Sequence, residues 1–312
     1  MADIVLITPR SYGASDPSLF ERLRAAGFEL IKNDTGGILS KAMMIERIAF
    51  CAGVILGVDP MDADVIAAAP GLRAVAKYGV GVDNIDLDAA KARGIKVSRT
   101  VGANAEAVAD YTMALMLSLA RSVIPIDRQC RRGNWSKIAA SDVSRKTLGL
   151  FGLGAIGKLV ARRAQGFSMK VLAYDPFWDE VYAQANGIER VEPEHIFREA
   201  DFISLHLPLT DETYNFVGER QLGMMKPNAY LINTARGGLI DEKALLTALR
   251  ARRIGGAGLD AFEKEPPENK EWFEMDNVVL GSHCAASTPG ATKNMGAMAT
   301  ENLIRDLTRA CP

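Results

Sequence analysis

A short apolar run, Thr147-Leu-Gly-Leu-Phe151, leads directly into Gly152-Leu153-Gly154-Ala155-Ile156-Gly157 and then into a helical stretch carrying Leu159, Val160 and Ala164. No other stretch restricts the fold as much, because a strand passing through glycines into a helix belongs to a βαβ unit of a parallel sheet. The first glycine permits the tight turn, and the second lets backbone N–H groups approach a pyrophosphate. The third packs the helix closely on the sheet, with its positive end toward the phosphates. Tyr174-Asp175-Pro176 closes the next strand 18 residues beyond Gly157, which puts Asp175 where an acid hydrogen-bonds the adenine ribose. Its charge repels a 2′-phosphate, and positions 176–180 read P-F-W-D-E with no basic residue, so NAD is predicted over NADP. Gly152, Gly154, Ala155, Ile156, Gly157 and Asp175 are therefore the first candidate cofactor-binding residues.

The rest of the chain keeps the same rhythm. Apolar strands are predicted at Ile4 to Ile7, Phe28 to Ile31, Val54 to Gly57, Ala74 to Ala76 and Lys96-Val97, separated by helices at Leu19 to Ala26, Ala63 to Ala69 and Ala89 to Arg93. A long apolar helix runs from about Ala103 to Arg121. Beyond the glycines, strands are predicted at Lys170 to Tyr174, Phe202 to Leu205, Tyr230 to Asn233, Gly256 to Leu259 and Asn277 to Leu280. The pattern predicts an α/β fold of two doubly wound parallel-sheet units with a cleft between them. The expected boundaries are residues 100–287 for a cofactor domain and residues 1–99 plus 288–312 for a discontinuous substrate domain.

Bulk properties exclude several classes of function. Thirty-seven basic against 38 acidic side chains create no field to attract nucleic acid or an anionic membrane. The start of the chain reads as no secretory leader, and the longest apolar run, Tyr111 to Ala120, is half the roughly 18–20 residues a spanning helix needs. Cys51, Cys130, Cys284 and Cys311 are scattered without a C-x-x-C pair, so reduced thiols in a cytoplasmic protein are expected, with no metal framework.

The chain has three histidines. His195 lies in the charged run E-P-E-H-I-F-R-E-A and reads as a solvated surface residue. His206 ends a strand, where it lines the cofactor groove or marks the strand exit, and His283 follows the apolar run Val278 to Leu280. Two further strand exits carry charge: Ile232-Asn-Thr-Ala-Arg236-Gly-Gly-Leu-Ile-Asp241, and Gly258-Leu-Asp260-Ala-Phe-Glu-Lys-Glu265-Pro-Pro267. Together with Asn277-Val-Val-Leu-Gly-Ser-His283-Cys-Ala-Ala-Ser-Thr288 and the glycine fingerprint, these segments resemble the D-isomer-specific 2-hydroxyacid dehydrogenases, most closely the phosphoglycerate dehydrogenase branch, over roughly residues 78–288.

The resemblance implies hydride transfer between NAD and the 2-carbon of a small 2-hydroxy or 2-keto acid. Arg236 would bind the substrate carboxylate and carbonyl oxygen, His283 would act as acid and base, and Glu265 would pair with His283 and fix its ring. Asp260 would lie near the nicotinamide end, and Leu207, Pro208, Thr234 and Ala235 would line the cofactor. In the first half, Ala76-Lys-Tyr78-Gly79-Val80-Gly81-Val-Asp-Asn-Ile-Asp86 matches the family loop whose backbone N–H groups receive the substrate carboxylate. The resemblance also implies a homodimer paired through the cofactor domain, with the apolar 111–120 helix contributing.

Two departures bear on these expectations. Val101 stands where the family usually has proline. Phosphoglycerate dehydrogenases commonly carry an arginine after the third strand, but that loop here reads Gly57-Val-Asp-Pro-Met-Asp62, and the usual arginine before the glycine loop is Lys77. Arg10, Lys77 or Arg99 remain as cations for a distal phosphate. Glyoxylate, hydroxypyruvate, D-lactate-type acids and sulfonated analogues of lactate are the alternative substrates. An NAD-responsive corepressor-like binding protein is the rival class, disfavoured by the joint presence of Arg236, Glu265 and His283. The chain ends about 24 residues after Thr288, so no C-terminal regulatory domain is expected.

Overall fold

In the computed structural model, which describes residues 2–308, the chain divides into two units. Residues up to Asn104, with those from Ala286 onward, form the first, and Ala105–Ala285 form the second. The crossings thus lie at 104/105 and 285/286, a few residues from the 99/100 and 287/288 expected. Cys311 lies outside the described residues.

The first unit alternates β1 (Asp3–Ile7), α1 (Ser18–Ala25), β2 (Phe28–Lys32), α2 (Lys41–Ile48), β3 (Cys51–Leu56), α3 (Ala63–Ala67), β4 (Ala74–Lys77), α4 (Leu87–Ala92) and β5 (Lys96–Arg99). Its five strands are parallel, in the order β2-β1-β3-β4-β5. The central strand β3 is buried along its whole length, as expected of a parallel strand covered on both faces. Helix starts follow local chemistry. Asp62 and Asp86 cap α3 and α4, their carboxylates accepting N–H groups that the first helical turn leaves without partners.

The second unit opens with α5 (Ala105–Ala120) and α6 (Val123–Arg131). It continues through β6 (Thr147–Phe151), α7 (Ala155–Gln165), β7 (Lys170–Tyr174), α8 (Glu180–Ala185), β8 (Ile188–Arg190), α9 (Pro193–Glu199) and β9 (Phe202–Leu205). It ends with α10 (Glu219–Met224), β10 (Tyr230–Asn233), α11 (Glu242–Arg250), β11 (Gly256–Leu259) and β12 (Val278–Leu280). The seven parallel strands run β12-β11-β10-β9-β6-β7-β8. Helix α5 buries Val108, Met113, Leu115, Met116 and Leu119 in this unit, packing against β10 and β11. Each such side chain contributes roughly 1.5–3 kcal/mol when fully buried. The chain then returns to the first unit, where α12 (Pro289–Thr308) packs on β3, β4 and β5 through Ala299, Leu303 and Leu307.

The predicted strands and the long helix are all present. Periodicity does not reveal α2, α6 or β8. The first two are eight and nine residues of mixed polarity, and β8 is a three-residue edge strand. Such elements carry too few repeats to stand out from a loop.

Sheet register positions the candidate residues of the second unit. Phe151 pairs with both Tyr174 and Leu205, so Gly152, Asp175 and His206 emerge side by side where the strand order reverses. Asn233 pairs with Leu205 and Leu259, and Leu259 with Leu280, so the segments bearing Arg236, Asp260 and His283 leave the same edge. In open α/β sheets this carboxyl edge, at the switch point, is where ligands bind.

Candidate active site

The glycine turn is built as the sequence predicts. Gly152 has φ +97°, and a Cβ there would come within 2.5 Å of the His206 carbonyl oxygen. A Cβ on Gly157 would lie 2.0 Å from the Gly152 carbonyl oxygen, so the turn and the start of α7 touch through bare backbone. Gly154 differs: nothing lies within 4 Å of its Cβ position, and with Ala155 it is exposed. Helix α7 starts at this opening with no side-chain cap, leaving first-turn N–H groups directed outward. Asp175 stands beside them, half-buried, its carboxylate accepting Leu153 N at 2.6 Å and Phe177 N at 2.7 Å. Those two bonds orient the carboxylate and leave lone pairs for ribose hydroxyls. Open space over Gly154, uncapped amides and an oriented acid fit an NAD pyrophosphate and ribose.

His206 is behind the turn. Its amide donates to Phe151 O at 2.7 Å, and Nε2 is 3.0 Å from Ser204 Oγ. Burial pushes its pKa down to about 4, so it is neutral at physiological pH. His195 is exposed on α9.

At the other end of the edge, His283 adopts a left-handed conformation, φ +57°, in the loop after β12. Its Nδ1 is 2.9 and 3.0 Å from the two carboxylate oxygens of Glu265. Burial is the largest influence on Glu265 and pushes its pKa up. The His283 hydrogen bond and charge, the Phe262 amide and the Arg236 charge together outweigh it, leaving Glu265 below the ordinary glutamate range. Arg236 follows β10; Asn233 Nδ2 clamps its carbonyl at 2.7 Å, and its Nη1 donates to Ala235 O at 2.7 Å. The structure therefore joins Glu265 and His283 by hydrogen bonds, with the Arg236 charge close enough to act on Glu265. Thr234 is held from α5, its hydroxyl 2.9 Å from that of Thr112, and Ala235 N donates to Asn233 Oδ1. Leu207 is half-buried, and Pro208 is exposed with its carbonyl accepting the Thr213 hydroxyl.

Asp260 is only 2% exposed, and its two oxygens accept Cys284 N at 3.0 Å and Ala285 N at 2.8 Å. Its carbonyl accepts His283 N at 2.8 Å. The carboxylate expected near the nicotinamide thus braces the loop that carries His283.

In the first unit, two of the four amides expected to receive the carboxylate are already used. Tyr78 N donates to Leu56 O and Gly79 N to Thr100 Oγ1, both at 2.9 Å, so of the four expected amides Val80 and Gly81 are the two without such a bond among those described. Lys77 is 5% exposed and donates to the Gly57 carbonyl and to Asn84, so it is sequestered from any distal phosphate. Arg10 remains exposed, donating to Gly36 O at 3.3 Å. Sequence reasoning missed Thr112, Asn233, Asn84 and Thr100 as supports. Only Thr112, a hydroxyl within the apolar stretch of α5, carried a local signal.

A parallel sheet with a glycine turn and an acid at its switch point, and an Arg–Glu–His cluster along the same edge, defines a dinucleotide-dependent dehydrogenase domain. The family description "D-isomer specific 2-hydroxyacid dehydrogenase, NAD binding domain" matches residues 113–285. A glyoxylate reductase from Korarchaeum cryptofilum is 46% identical over 274 residues, covering 85% of this chain and 82% of that protein. A D-3-phosphoglycerate dehydrogenase from Methanocaldococcus jannaschii is 40% identical over 273 residues; the match covers 86% of this chain but only 52% of that protein. The crystal structure of D-lactate dehydrogenase from Aquifex aeolicus, complexed with NAD and lactic acid, superposes with a TM-score of 0.84 at 29% identity, covering 95% and 93% of the two chains. This chain belongs to the D-isomer specific 2-hydroxyacid dehydrogenase family. It is an NAD-dependent oxidoreductase that interconverts a small 2-hydroxy acid and its 2-keto acid.

Proposed function

We propose that this dehydrogenase acts on a small, unphosphorylated 2-keto acid, glyoxylate foremost, with His283 as acid, Glu265 as its partner and Arg236 as the substrate anchor. The observation that carries the proposal is the His283–Glu265 pair. Glu265 occupies Nδ1 with both oxygens, so Nε2 is the ring atom left to exchange a proton with a substrate oxygen. Arg236 offers a planar set of donors to the keto acid, and in the first unit the Val80 and Gly81 amides are proposed, on the family resemblance, as a carboxylate receiver. The cofactor would be held by Gly152, Gly154, Ala155, Ile156, Gly157, Asp175, Leu207, Pro208, Thr234 and Ala235, and it supplies the hydride. As C2 is reduced, His283 Nε2 gives its proton to the carbonyl oxygen, and in oxidation it takes that proton back. Asp260 contributes through the loop it braces.

The substrate reading rests on the loop after β3, where phosphoglycerate dehydrogenases commonly carry an arginine and this chain has none. In the Gly57–Asp62 loop, Asp59 is buried with Oδ1 on Leu39 N, Asp62 caps α3, and Lys77 is used internally. This favours the glyoxylate reductase relative over the phosphoglycerate dehydrogenase branch expected from the motifs. A panel of glyoxylate, hydroxypyruvate, pyruvate and 3-phosphohydroxypyruvate, each with NADH and NADPH, tests the reading. Glyoxylate or hydroxypyruvate with NADH is expected to exceed the phosphorylated acid by about tenfold or more in kcat/KM. Preference for the phosphorylated acid, or for NADPH, would refute it.

The protein is further proposed to be a cytoplasmic homodimer. Cys51, Cys130 and Cys284 are free thiols, which suits a reducing compartment. Helix α6 buries none of its residues although it carries Val123, Ile124 and Ile126, and residues 132–140 after it, including Trp135, are all exposed. An unburied apolar helix face beside an exposed tryptophan is the composition of a subunit contact.

A further inference from the structure

The loop proposed to receive the substrate carboxylate is tied down by a lysine that points inward. Lys77 closes β4, and its ammonium donates to the Gly57 carbonyl after β3 and, at 2.7 Å, to Asn84 Oδ1 at the far end of the glycine loop. Asn84 Nδ2 in turn donates to Gly57 O at 3.1 Å and Asp59 O at 2.6 Å, and its carbonyl accepts Met61 N at 2.8 Å. The lysine stem runs beneath the loop: a Cβ on Gly79 would lie 3.9 Å from Lys77 Cε. At the loop's near end, the Tyr78 and Gly79 amides are held by Leu56 O and Thr100 Oγ1. Both ends are therefore anchored, and the Val80 and Gly81 amides lie in the span between them.

Burying an ammonium is costly unless hydrogen bonds replace its water. Here the bonds that replace it join two loops, after β3 and after β4, that share no ladder beyond β3–β4 and the Met61–Ile85 bridge. We propose that Lys77 is a positioning residue that presets the Val80 and Gly81 amides as an anion receiver, so that the keto-acid carboxylate binds without ordering the loop. This inference rests on the carboxylate reading of that loop given above. Preorganised amides raise affinity by removing the ordering cost at binding.

The test is Lys77→Met, which keeps the stem and removes both hydrogen bonds. KM for glyoxylate and Ki for oxamate, a non-reacting keto-acid analogue, are expected to rise about tenfold. kcat should stay within about twofold and NADH affinity, a property of the second unit, should not change; a KM effect without a kcat effect marks lost ground-state binding. KM and Ki within about twofold of wild type in a cooperatively melting variant would overturn the proposal. Val80→Pro, which deletes one receiving N–H, separates the two levels. If it weakens oxamate and Lys77→Met does not, the positioning role alone falls; if neither does, the carboxylate reading falls with it. Should Lys77→Met not fold, Asn84→Ala removes the second half of the strut and is read by the same constants.

Discussion

Replacing Asp260 by asparagine changes one atom and reverses one hydrogen bond. The wild-type carboxylate accepts Cys284 N and Ala285 N, and its surroundings leave no room to re-form the pair, since a Cβ on Gly281 would already lie 2.1 Å from Asp260 Oδ1. An asparagine can accept only one of these amides; its NH2 faces the other, leaving a buried N–H unsatisfied. Losing a buried hydrogen bond to a charged acceptor costs roughly 1.5–3 kcal/mol. For a unit of this size each kcal/mol lowers Tm by about 2–4 °C, so Asp260→Asn is expected to melt about 3–12 °C lower. The same loop carries His283, whose amide donates to the Asp260 carbonyl, so kcat should fall while NADH affinity holds. Thermal melts, steady-state rates and a fluorescence titration of NADH measure the three quantities. An unchanged Tm and kcat with NADH binding weakened about tenfold would refute the brace and return Asp260 to the cofactor, since tenfold corresponds to about 1.4 kcal/mol of lost contact.

His283→Ala should lower kcat by about 10²–10⁴-fold with NADH binding intact, and a variant keeping more than about a tenth of the wild-type kcat would remove His283 as the acid. Glu265 is held below its ordinary pKa. Its ionised form therefore stabilises the fold above the unfolded glutamate range, about pH 4.3, and that contribution fades as pH falls through the lower folded value. The Tm advantage of wild type over Glu265→Gln should accordingly shrink on acidification from pH 7 toward pH 3, and a pH-independent difference would count against the pairing.

Much of this was legible before any coordinates. The strand–glycine–helix run at 147–157 dictates its own geometry, because Gly152 and Gly157 meet through atoms only a few residues apart. Asp175 could be named from the glycine fingerprint and the strand end before it, whereas Arg236, Glu265 and His283 were named through the family resemblance, strand-end position alone being too weak a signal. The supports were not legible. Lys77 read as a cation for a phosphate, yet it serves Gly57 and Asn84. Asp260 read as lying near the nicotinamide end, with no sign that its oxygens also hold amides 24 and 25 residues further along the chain.

The amino-acid order alone thus determined the α/β rhythm, the cofactor turn and which side chains stand at strand ends. Only the tertiary structure decided which amides of the 78–81 loop remain to meet a ligand, which charges are spent holding loops, and that Nδ1 of His283 is already occupied. The reason is physical: periodicity and turn chemistry are encoded within a few residues, whereas a hydrogen bond is made by whichever partner folding brings within about 3 Å, however distant in the chain.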